Sequence, residues 1–217
     1  MKLPGLRLDR VVSAGFEENT YVFGHEERND CLVVDPGMEP EKIIARLDSH
    51  GLTPAAILIT HGHGDHIAGN AALKQRWPEC RLVVGAGDAA KLTDPVLNLS
   101  AFYGTPMVSP PADETLSDGQ IFSAAGFDLE IREIPGHSVG HVMYLWRDNQ
   151  PMIAFVGDII FAGSVGRTDF PDGDFDQLAT GIRQKIYTLP DDTILLSGHG
   201  PRTTVGAEKK TNPFVGE

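Results

Sequence analysis

Hydrophobic runs of strand length recur along the chain, and most of them end in a short loop of small or polar residues. One run alternates apolar and polar positions, as a half-buried strand does, and the others are continuously apolar, as in buried strands. In chain order these runs read CLVVD, AAILIT, RLVVG, FDLEIREI, HVMYLW, MIAFVGD and TILLSGHG. The pattern predicts a β-rich chain in which most strands end in a polar loop.

Three segments between the strands have the spacing and boundary residues of helices. The predicted helices cover residues 40–50, 67–77 and 176–189, and the first has proline at its start and Gly51 after its end. Residues 93–111 contain four prolines, so we predict an irregular loop that can act as a lid. The last dozen residues are polar and are predicted to form a tail.

Length and composition indicate one globular domain over residues 1–217. The chain is 41% hydrophobic and 22% charged, which is typical of soluble proteins, and it has no apolar segment long enough to span a bilayer. Near the N-terminus, Pro4, Arg7 and Asp9 interrupt any apolar stretch of the kind found in secretory signals. A cytoplasmic location is therefore expected, with no membrane partner, and no feature indicates an oligomeric state.

Charge and cysteine content narrow the classes of function further. A formal net charge of −12 disfavours nucleic acid as a partner, because binding to phosphate backbones depends on clustered lysine and arginine. Cys31 and Cys80 are the only cysteines, too few for a disulfide framework or a thiolate-rich metal site. We expect both thiols to be inert and structural, and the substrate to be a small molecule.

The strongest chemical motif is HGHGDH, residues 61–66, which follows the predicted strand AAILIT. Because side chains alternate along a strand, His61 and His63 would project to the same side and share one metal ion. Asp65 and His66 can then serve a second ion. The alternative is that Asp65 merely caps the helix that follows and that the histidines are exposed loop residues. Three imidazoles and a carboxylate in six residues favour metal binding.

Three more potential ligands follow apolar runs, namely His137, Asp158 and His199. The total of five histidines and two aspartates is enough for two ions if one aspartate bridges them. Imidazole and carboxylate without thiolate suit zinc and also tolerate iron or manganese. His141 competes with His137 for the ligand position in PGHSVGH; we favour His137, because Pro135-Gly136 ends the strand and presents it in a loop.

These motifs resemble those of the metallo-β-lactamase-fold hydrolases, through HGHGDH, the later PGH, the Gly-Asp of VGDIIF and the final SGHGP. Within that superfamily the chain is most similar to compact glyoxalase II-like proteins, which share Asn19-Thr20-Tyr21, GSVGRTDFPDGD and TNPF. The resemblance implies an α/β fold, a four-layer αβ/βα sandwich with the metal site at one edge between two sheets.

The resemblance also implies a distribution of ligands. His61, His63 and His137 would hold the first ion, and Asp65, His66 and His199 the second, with Asp158 as the bridge. Asp65 and Asp158 would be the carboxylates that take part in catalysis. A hydroxide shared by two divalent ions would then attack a substrate carbonyl, and no protein nucleophile is needed.

For substrate, the resemblance points to glutathione thioesters such as S-lactoylglutathione. Tyr103, Arg167, Lys209 and Lys210 are candidates for binding the glutathione carboxylates or peptide groups. Rival functions with the same fold are a persulfide dioxygenase, with one iron on His61, His137 and Asp158, and a lactamase or lactonase. A non-catalytic metal-binding module is the alternative outside enzymes, but structural zinc sites are closed and need only four ligands.

Overall fold

The computed structural model describes residues 4–216, which form two six-stranded β-sheets, a two-stranded hairpin and five α-helices. The first sheet holds, side by side in chain order, β1 (Leu6–Val12), β2 (Asn19–His25), β3 (Asp30–Val34), β4 (Thr53–Ile59), β5 (Arg81–Gly85) and β6 (Glu114–Leu116). Strands β1 to β3 pair antiparallel, and β3 to β6 pair parallel.

The second sheet has the strand order β14-β13-β10-β9-β8-β7. Its strands are β7 (Ile121–Ala124), β8 (Phe127–Glu133), β9 (Val142–Trp146), β10 (Ile153–Gly157), β13 (Ile194–Ser197) and β14 (Thr203–Thr204). Strands β7 to β10 are antiparallel, and β13 lies parallel to β10. Between them in sequence, β11 (Ile160–Phe161) and β12 (Ser164–Val165) form the hairpin.

Three apolar cores hold the layers together. The central core lies between the two sheets, where Phe23 of the first sheet stacks on Phe127 of the second with ring centroids 4.2 Å apart. On the outer face of the first sheet, α1 (Pro40–Ser49) buries Ile43 and Leu47. These cores confirm the expected four-layer αβ/βα sandwich, because each sheet is covered by its partner on one face and by helices on the other.

The remaining helices correct several predicted boundaries. The helix predicted over 67–77 is two elements, α2 (Gly64–Ile67) and α3 (Asn70–Arg76), because the backbone of Gly69 packs against Pro36 and separates them. The helix predicted over 176–189 is α4 (Phe175–Gly181), which continues as a wider π-helical segment, Ile182–Ile186. A short 3₁₀ helix, Ser100–Tyr103, interrupts the predicted loop over 93–111.

The predicted polar tail is wrong over its first half, since residues 205–211 form α5 (Val205–Thr211). Its anchor is the buried carboxylate of Glu208, which accepts hydrogen bonds from Thr203 Oγ1 (2.5 Å), Asn212 Nδ2 (2.9 Å) and the amide of Gly163 (2.9 Å). Polar contacts therefore carry much of the packing of this helix, and hydropathy gives no signal for it.

Two further expectations concern thiols and membranes. Cys31 and Cys80 are buried and unbonded, and burial raises the pKa of each thiol to about 12. Both are therefore unreactive at neutral pH, as expected of structural cysteines. Among the described residues, no helix has the length and apolar character needed to cross a membrane.

Candidate metal centre

Four strand ends meet at one edge of the sandwich, and each is followed by a potential metal ligand. His61 follows β4, His137 follows β8, Asp158 follows β10 and His199 follows β13. The first of these strands belongs to one sheet and the other three to the second sheet. The candidate centre therefore lies between the sheets, at the edge that the resemblance implied.

The first group of potential ligands is His61, His63 and His137, whose nearest ring nitrogens lie within 4.8 Å of one another. The Nε2 atoms of His61 and His137 are 3.2 Å apart. The two histidines of the motif can converge because Gly62 lies between them against Lys91, where an added Cβ would be 2.6 Å from the lysine Cβ. All three imidazoles are buried.

The second group is Asp65, His66 and His199, again with ligand atoms within 4.8 Å. His199 Nε2 lies 3.3 Å from His66 Nε2 and 3.3 Å from Asp65 Oδ2. Asp65 and His66 lie on α2, which starts without a side-chain cap, so the reading of Asp65 as a helix cap is wrong.

Asp158 lies between the two groups. Its Oδ1 is 3.5 Å from His66 Nε2, and its Oδ2 is 3.6 Å from His137 Nε2 and 3.5 Å from His199 Nε2. Gly198 leaves room for this carboxylate, since a Cβ there would be 2.3 Å from Oδ1. Burial by itself would raise the pKa of Asp158, but the surrounding histidines hold it below its ordinary value, so the group is an anionic carboxylate.

Backbone carbonyls fix the tautomers of two of the histidines. His137 Nδ1 is 2.8 Å from the carbonyl oxygen of Arg167, and His199 Nδ1 is 2.9 Å from that of Phe16. Because a carbonyl can only accept, each Nδ1 carries the hydrogen and each Nε2 presents a lone pair to the centre.

Asp35 fixes the tautomers of His61 and His66. The Thr60 hydroxyl donates to Asp35 Oδ2 (2.7 Å), which leaves it free to accept from His61 Nδ1 (3.1 Å). His66 Nδ1 donates directly to Asp35 Oδ2 (3.1 Å). Sequence reasoning missed Asp35, although it ends the run CLVVD as the ligands end other runs, and its positive φ of 48° marks a constrained position.

These contacts test whether the site fits metal ions. The Nε2 atoms of His61 and His137, whose pKa values are both lowered by burial, face each other at 3.2 Å with their lone pairs directed inward, and those of His66 and His199 lie 3.3 Å apart. Two lone pairs that face each other repel unless positive charge lies between them. Asp158 Oδ1 is also buried without a hydrogen-bond partner. The nitrogen and oxygen donors present therefore fit two divalent cations.

The pKa values of the histidines agree with that fit. Burial lowers the pKa of His61 and His63 well below the ordinary value, which keeps these imidazoles neutral and able to coordinate. Burial also opposes protonation of His66, but Asp158 and Asp65 outweigh it and raise its pKa. The position in front of His66 Nε2 therefore attracts positive charge.

Another buried carboxylate, Asp88, connects the two loops that carry the first group of potential ligands. Asp88 accepts hydrogen bonds from the amides of Gly62 (2.7 Å) and Gly140 (2.8 Å) and from the Ser138 hydroxyl. Gly62 separates His61 from His63, and Ser138 follows His137. One carboxylate thus fixes the backbone of both loops, and no local sequence signal indicated it.

Lys91 extends this network to a third loop. Its Nζ donates to Ser138 Oγ (2.6 Å) and to Asp172 Oδ2 (2.5 Å), and it lies 3.6 Å from Asp88 Oδ1. Lys91 is only 6% exposed, so its charge requires these acidic partners. The segment after Asp158 is in this way tied to the histidine loops.

His141, the competitor of His137, belongs to no ligand group among the described residues. Its fully buried ring stacks on His61, with centroids 4.5 Å apart and an interplanar angle of 14°, and neither ring nitrogen has a hydrogen-bond partner. The structure therefore places His137 among the potential ligands and His141 behind them.

A cavity of about 530 Å³ opens beside the centre and is lined by His63, Asp65, His137, Asp158 and His199. Arg167 also lines it, and the loop over 93–111, which contains Tyr103, forms one of its walls. Lys209 and Lys210 lie on α5 and do not line the cavity; Lys209 instead pairs with Asp191 at 3.0 Å. The expectation that these lysines bind substrate there is not supported.

Comparison with known proteins agrees with this geometry. The family model described as the metallo-beta-lactamase superfamily matches residues 14–199. Hydroxyacylglutathione hydrolase GloC of Haemophilus influenzae is 34% identical over 213 residues, which are 97% of this chain and 98% of that protein.

Two solved structures are also similar over nearly their whole length. The BLEG-1 B3 metallo-beta-lactamase matches with a TM-score of 0.91 and 34% identity, over 96% of this chain and 99% of that one. TTHA1623 in a di-iron-bound form matches with a TM-score of 0.81 and 34% identity, over 95% and 99%. With the family model spanning every potential ligand, the chain belongs to the metallo-beta-lactamase superfamily and is a metallo-hydrolase.

Proposed function

We propose that this metallo-hydrolase cleaves thioesters, with glutathione thioesters such as S-lactoylglutathione as the class to test first. The observation that carries the proposal is the shared Asp158 between two histidine-rich groups, open to a cavity. Open positions in a site with this many ligands are typical of catalysis. The similarity to a hydroxyacylglutathione hydrolase over almost the whole chain supports the choice of bond.

The proposed cofactor is a pair of divalent metal ions, with zinc preferred. His61, His63 and His137 would hold one ion, Asp65, His66 and His199 the other, and Asp158 would touch both. When bound, such ions supply an acidified water as nucleophile and a Lewis acid for the carbonyl oxygen. Iron and manganese remain compatible with these donors, and a 34% identical structure is di-iron-bound.

The residues of the chain divide the remaining work. Asp65 is a half-buried carboxylate with a lowered pKa, because His66 and His199 outweigh the effect of desolvation, so its oxygen can accept a hydrogen bond from the attacking water. Asp35 and the carbonyls of Phe16 and Arg167 keep the histidine lone pairs directed inward.

The proposed reaction needs no further co-reactant. A bond forms between the water oxygen and the acyl carbon, and the carbon–sulfur bond breaks. One proton from water ends on the departing sulfur, giving a free thiol, and the acid product loses another to solvent. The walls of the cavity limit the access of bulk water to the reacting group.

A second candidate is hydrolysis of a β-lactam, favoured by the similarity to the BLEG-1 B3 metallo-beta-lactamase. The same centre would attack a cyclic amide carbonyl, and the loop over 93–111 would decide which ring fits.

Metal analysis and three parallel assays test these proposals. Protein purified without chelator is analysed for metal, and then assayed with S-lactoylglutathione, with a chromogenic cephalosporin, and for oxygen uptake with glutathione persulfide. About two zinc ions with thioester turnover is the expected result. Turnover of the cephalosporin alone favours the second candidate, whereas one iron with persulfide-dependent oxygen uptake overturns both.

A further inference from the structure

The cavity beside the metal centre has mostly apolar walls. Its apolar lining side chains come from four separate segments and include Phe16, Leu99, Tyr103, Met107, Phe161 and Phe170. Phe16 and Tyr103 meet edge to face at the mouth, with ring centroids 5.5 Å apart and an interplanar angle of 78°. This contact joins the loop before β2 to the loop over 93–111.

The apolar walls begin at the ligands themselves. The ring of Phe170 lies 5.2 Å from the ring of His63, and that of Phe161 lies 6.1 Å from the ring of His199. A carbonyl held between the two ligand groups would therefore have apolar surface on both sides. Any side chain on the acyl carbon would contact that surface.

Charged partners for a substrate are scarce in the same cavity. Among the described residues that line it, Arg167 is the only lysine or arginine. Its guanidinium is already paired with Asp169 through two hydrogen bonds of 2.7 Å and lies 4.2 Å over the ring of Phe170. An anionic group on the substrate would thus compete with a carboxylate that is already in place.

The aromatic rings at the mouth are kept partly in solvent. Tyr103 is 52% exposed and Phe16 is 38% exposed. Covering such surface with an apolar group is favourable, and exposed apolar patches beside a reactive site commonly bind ligands.

From these observations we infer that the acyl group of the substrate carries an aromatic or branched apolar side chain, which packs against Phe16, Tyr103 and Phe170. This inference rests on the proposed thioester hydrolysis. According to this inference, the enzyme selects substrates by the acyl side chain. The thiol carrier would meet only one cationic side chain in the cavity lining, Arg167, whose charge is already neutralised by Asp169.

A matched pair of substrates isolates the side chain. S-lactoylglutathione and S-mandeloylglutathione have the same carrier and the same α-hydroxyl, and differ by a methyl group against a phenyl ring. We expect kcat/KM of the zinc-loaded protein to be about tenfold or more higher for the mandeloyl compound, because even a single methylene in an apolar pocket gives about that factor.

Three variants locate the selectivity. Phe16→Ala and Tyr103→Ala should each lower, several-fold, the ratio of kcat/KM for the mandeloyl substrate to kcat/KM for the lactoyl substrate. Phe16→Ala keeps the backbone carbonyl that orients His199, and the ratio of the two substrates cancels any change in metal content that affects both equally. Phe102→Ala is the matched control, since Phe102 is 70% exposed on the same 3₁₀ helix and does not line the cavity.

A binding measurement separates this inference from the proposed function. Calorimetry of the zinc-loaded protein with mandelate and lactate should show tighter binding of mandelate, lost in Tyr103→Ala and kept in Phe102→Ala. If neither thioester is cleaved but mandelate still binds more tightly than lactate, the thioester proposal fails, and the inference that the cavity binds an aromatic or branched apolar side chain stands. Equal kcat/KM for both thioesters, or equal binding of both acids, overturns the inference.

Discussion

The two ligand groups of the metal centre differ in what holds them. In the first group, the loops of His61, His63 and His137 share the buried carboxylate Asp88. In the second, His199 is oriented by the backbone carbonyl of Phe16, in a surface loop that also forms a cavity wall. In each group one histidine contacts a backbone carbonyl and another is held by Asp35, so Asp88 is the support that the first group has in addition.

One ligand of the second group is also more exposed than any ligand of the first. The His199 side chain is 26% exposed, whereas that of His137 is 3% exposed. A ligand that is shielded from water and preorganised by hydrogen bonds releases its ion more slowly. We therefore expect the first group to bind its ion more tightly, and the second to respond to changes at the cavity mouth.

The largest effect should come from Asp158→Ala, which removes the carboxylate common to both groups and so weakens both together. Zinc affinity at both sites should fall by more than about 100-fold, the upper range for losing a partner outside the coordination shell. Elemental analysis and turnover of S-lactoylglutathione measure the loss. Asp176→Ala, an exposed carboxylate on α4, is the control; an Asp158 variant that retains full turnover would disprove the bridge.

Asp88→Asn should weaken metal binding by the first group only, which tests the difference between the two groups directly. The amide group of asparagine cannot accept hydrogen bonds at its nitrogen, so at least one of the three contacts to the histidine loops is lost. Affinity for the first ion should fall about 10- to 100-fold and that for the second should change little. Competition titration with a zinc-binding dye resolves the two constants. Equal weakening of both sites would contradict this division of roles.

Asn19→Ala is the corresponding test of the second half. Asn19 Nδ2 donates to the carbonyls of Ser197 and Gly200, both at 2.9 Å, on either side of the His199 position. Each lost hydrogen bond is worth about 1 kcal/mol, so the second ion should bind about tenfold more weakly. The same titration applies, and a loss confined to the first ion would show that this loop does not support His199.

The smallest effect is expected in the unmodified protein. Stepwise removal of zinc with a chelator should proceed in two phases, the more exposed second ion leaving first, with rates that differ by about tenfold. A cobalt-substituted sample lets the absorption of each site be followed. A single phase would mean that the two halves act as one unit.

Sequence reasoning predicted seven of the fourteen strands in residues 4–216, because long apolar runs and their terminal loops have strong local patterns. It missed β1, β2 and five strands of two to four residues. It also selected all seven potential ligands, since imidazole and carboxylate side chains placed directly after apolar runs are distinctive. It missed the groups that orient those ligands. Phe16 and His199 are 183 residues apart, and Asp35 and His66 are 31 apart, so no local window contains both partners.

Helix boundaries show the same limit on a smaller scale. The separation of α2 from α3 depends on Gly69 meeting Pro36, and α5 depends on Glu208 binding groups in two other segments. Lys209 and Lys210 were candidates on charge alone, and the position of α5 keeps both out of the cavity lining. Charge and hydropathy are properties of single residues, whereas the helix boundaries and the position of α5 depend on contacts between residues that are distant in the sequence.

The sequence by itself determined the class of fold, through its resemblance to a known family, and the candidate metal ligands with their order along the chain, because donor side chains beside apolar runs form a local pattern. Only the tertiary structure decided how those donors divide into two groups, which carboxylate lies between them, and that the cavity beside them is apolar. Those features arise where the ends of distant strands meet, and the packing of the two sheets alone sets which side chains face one another there.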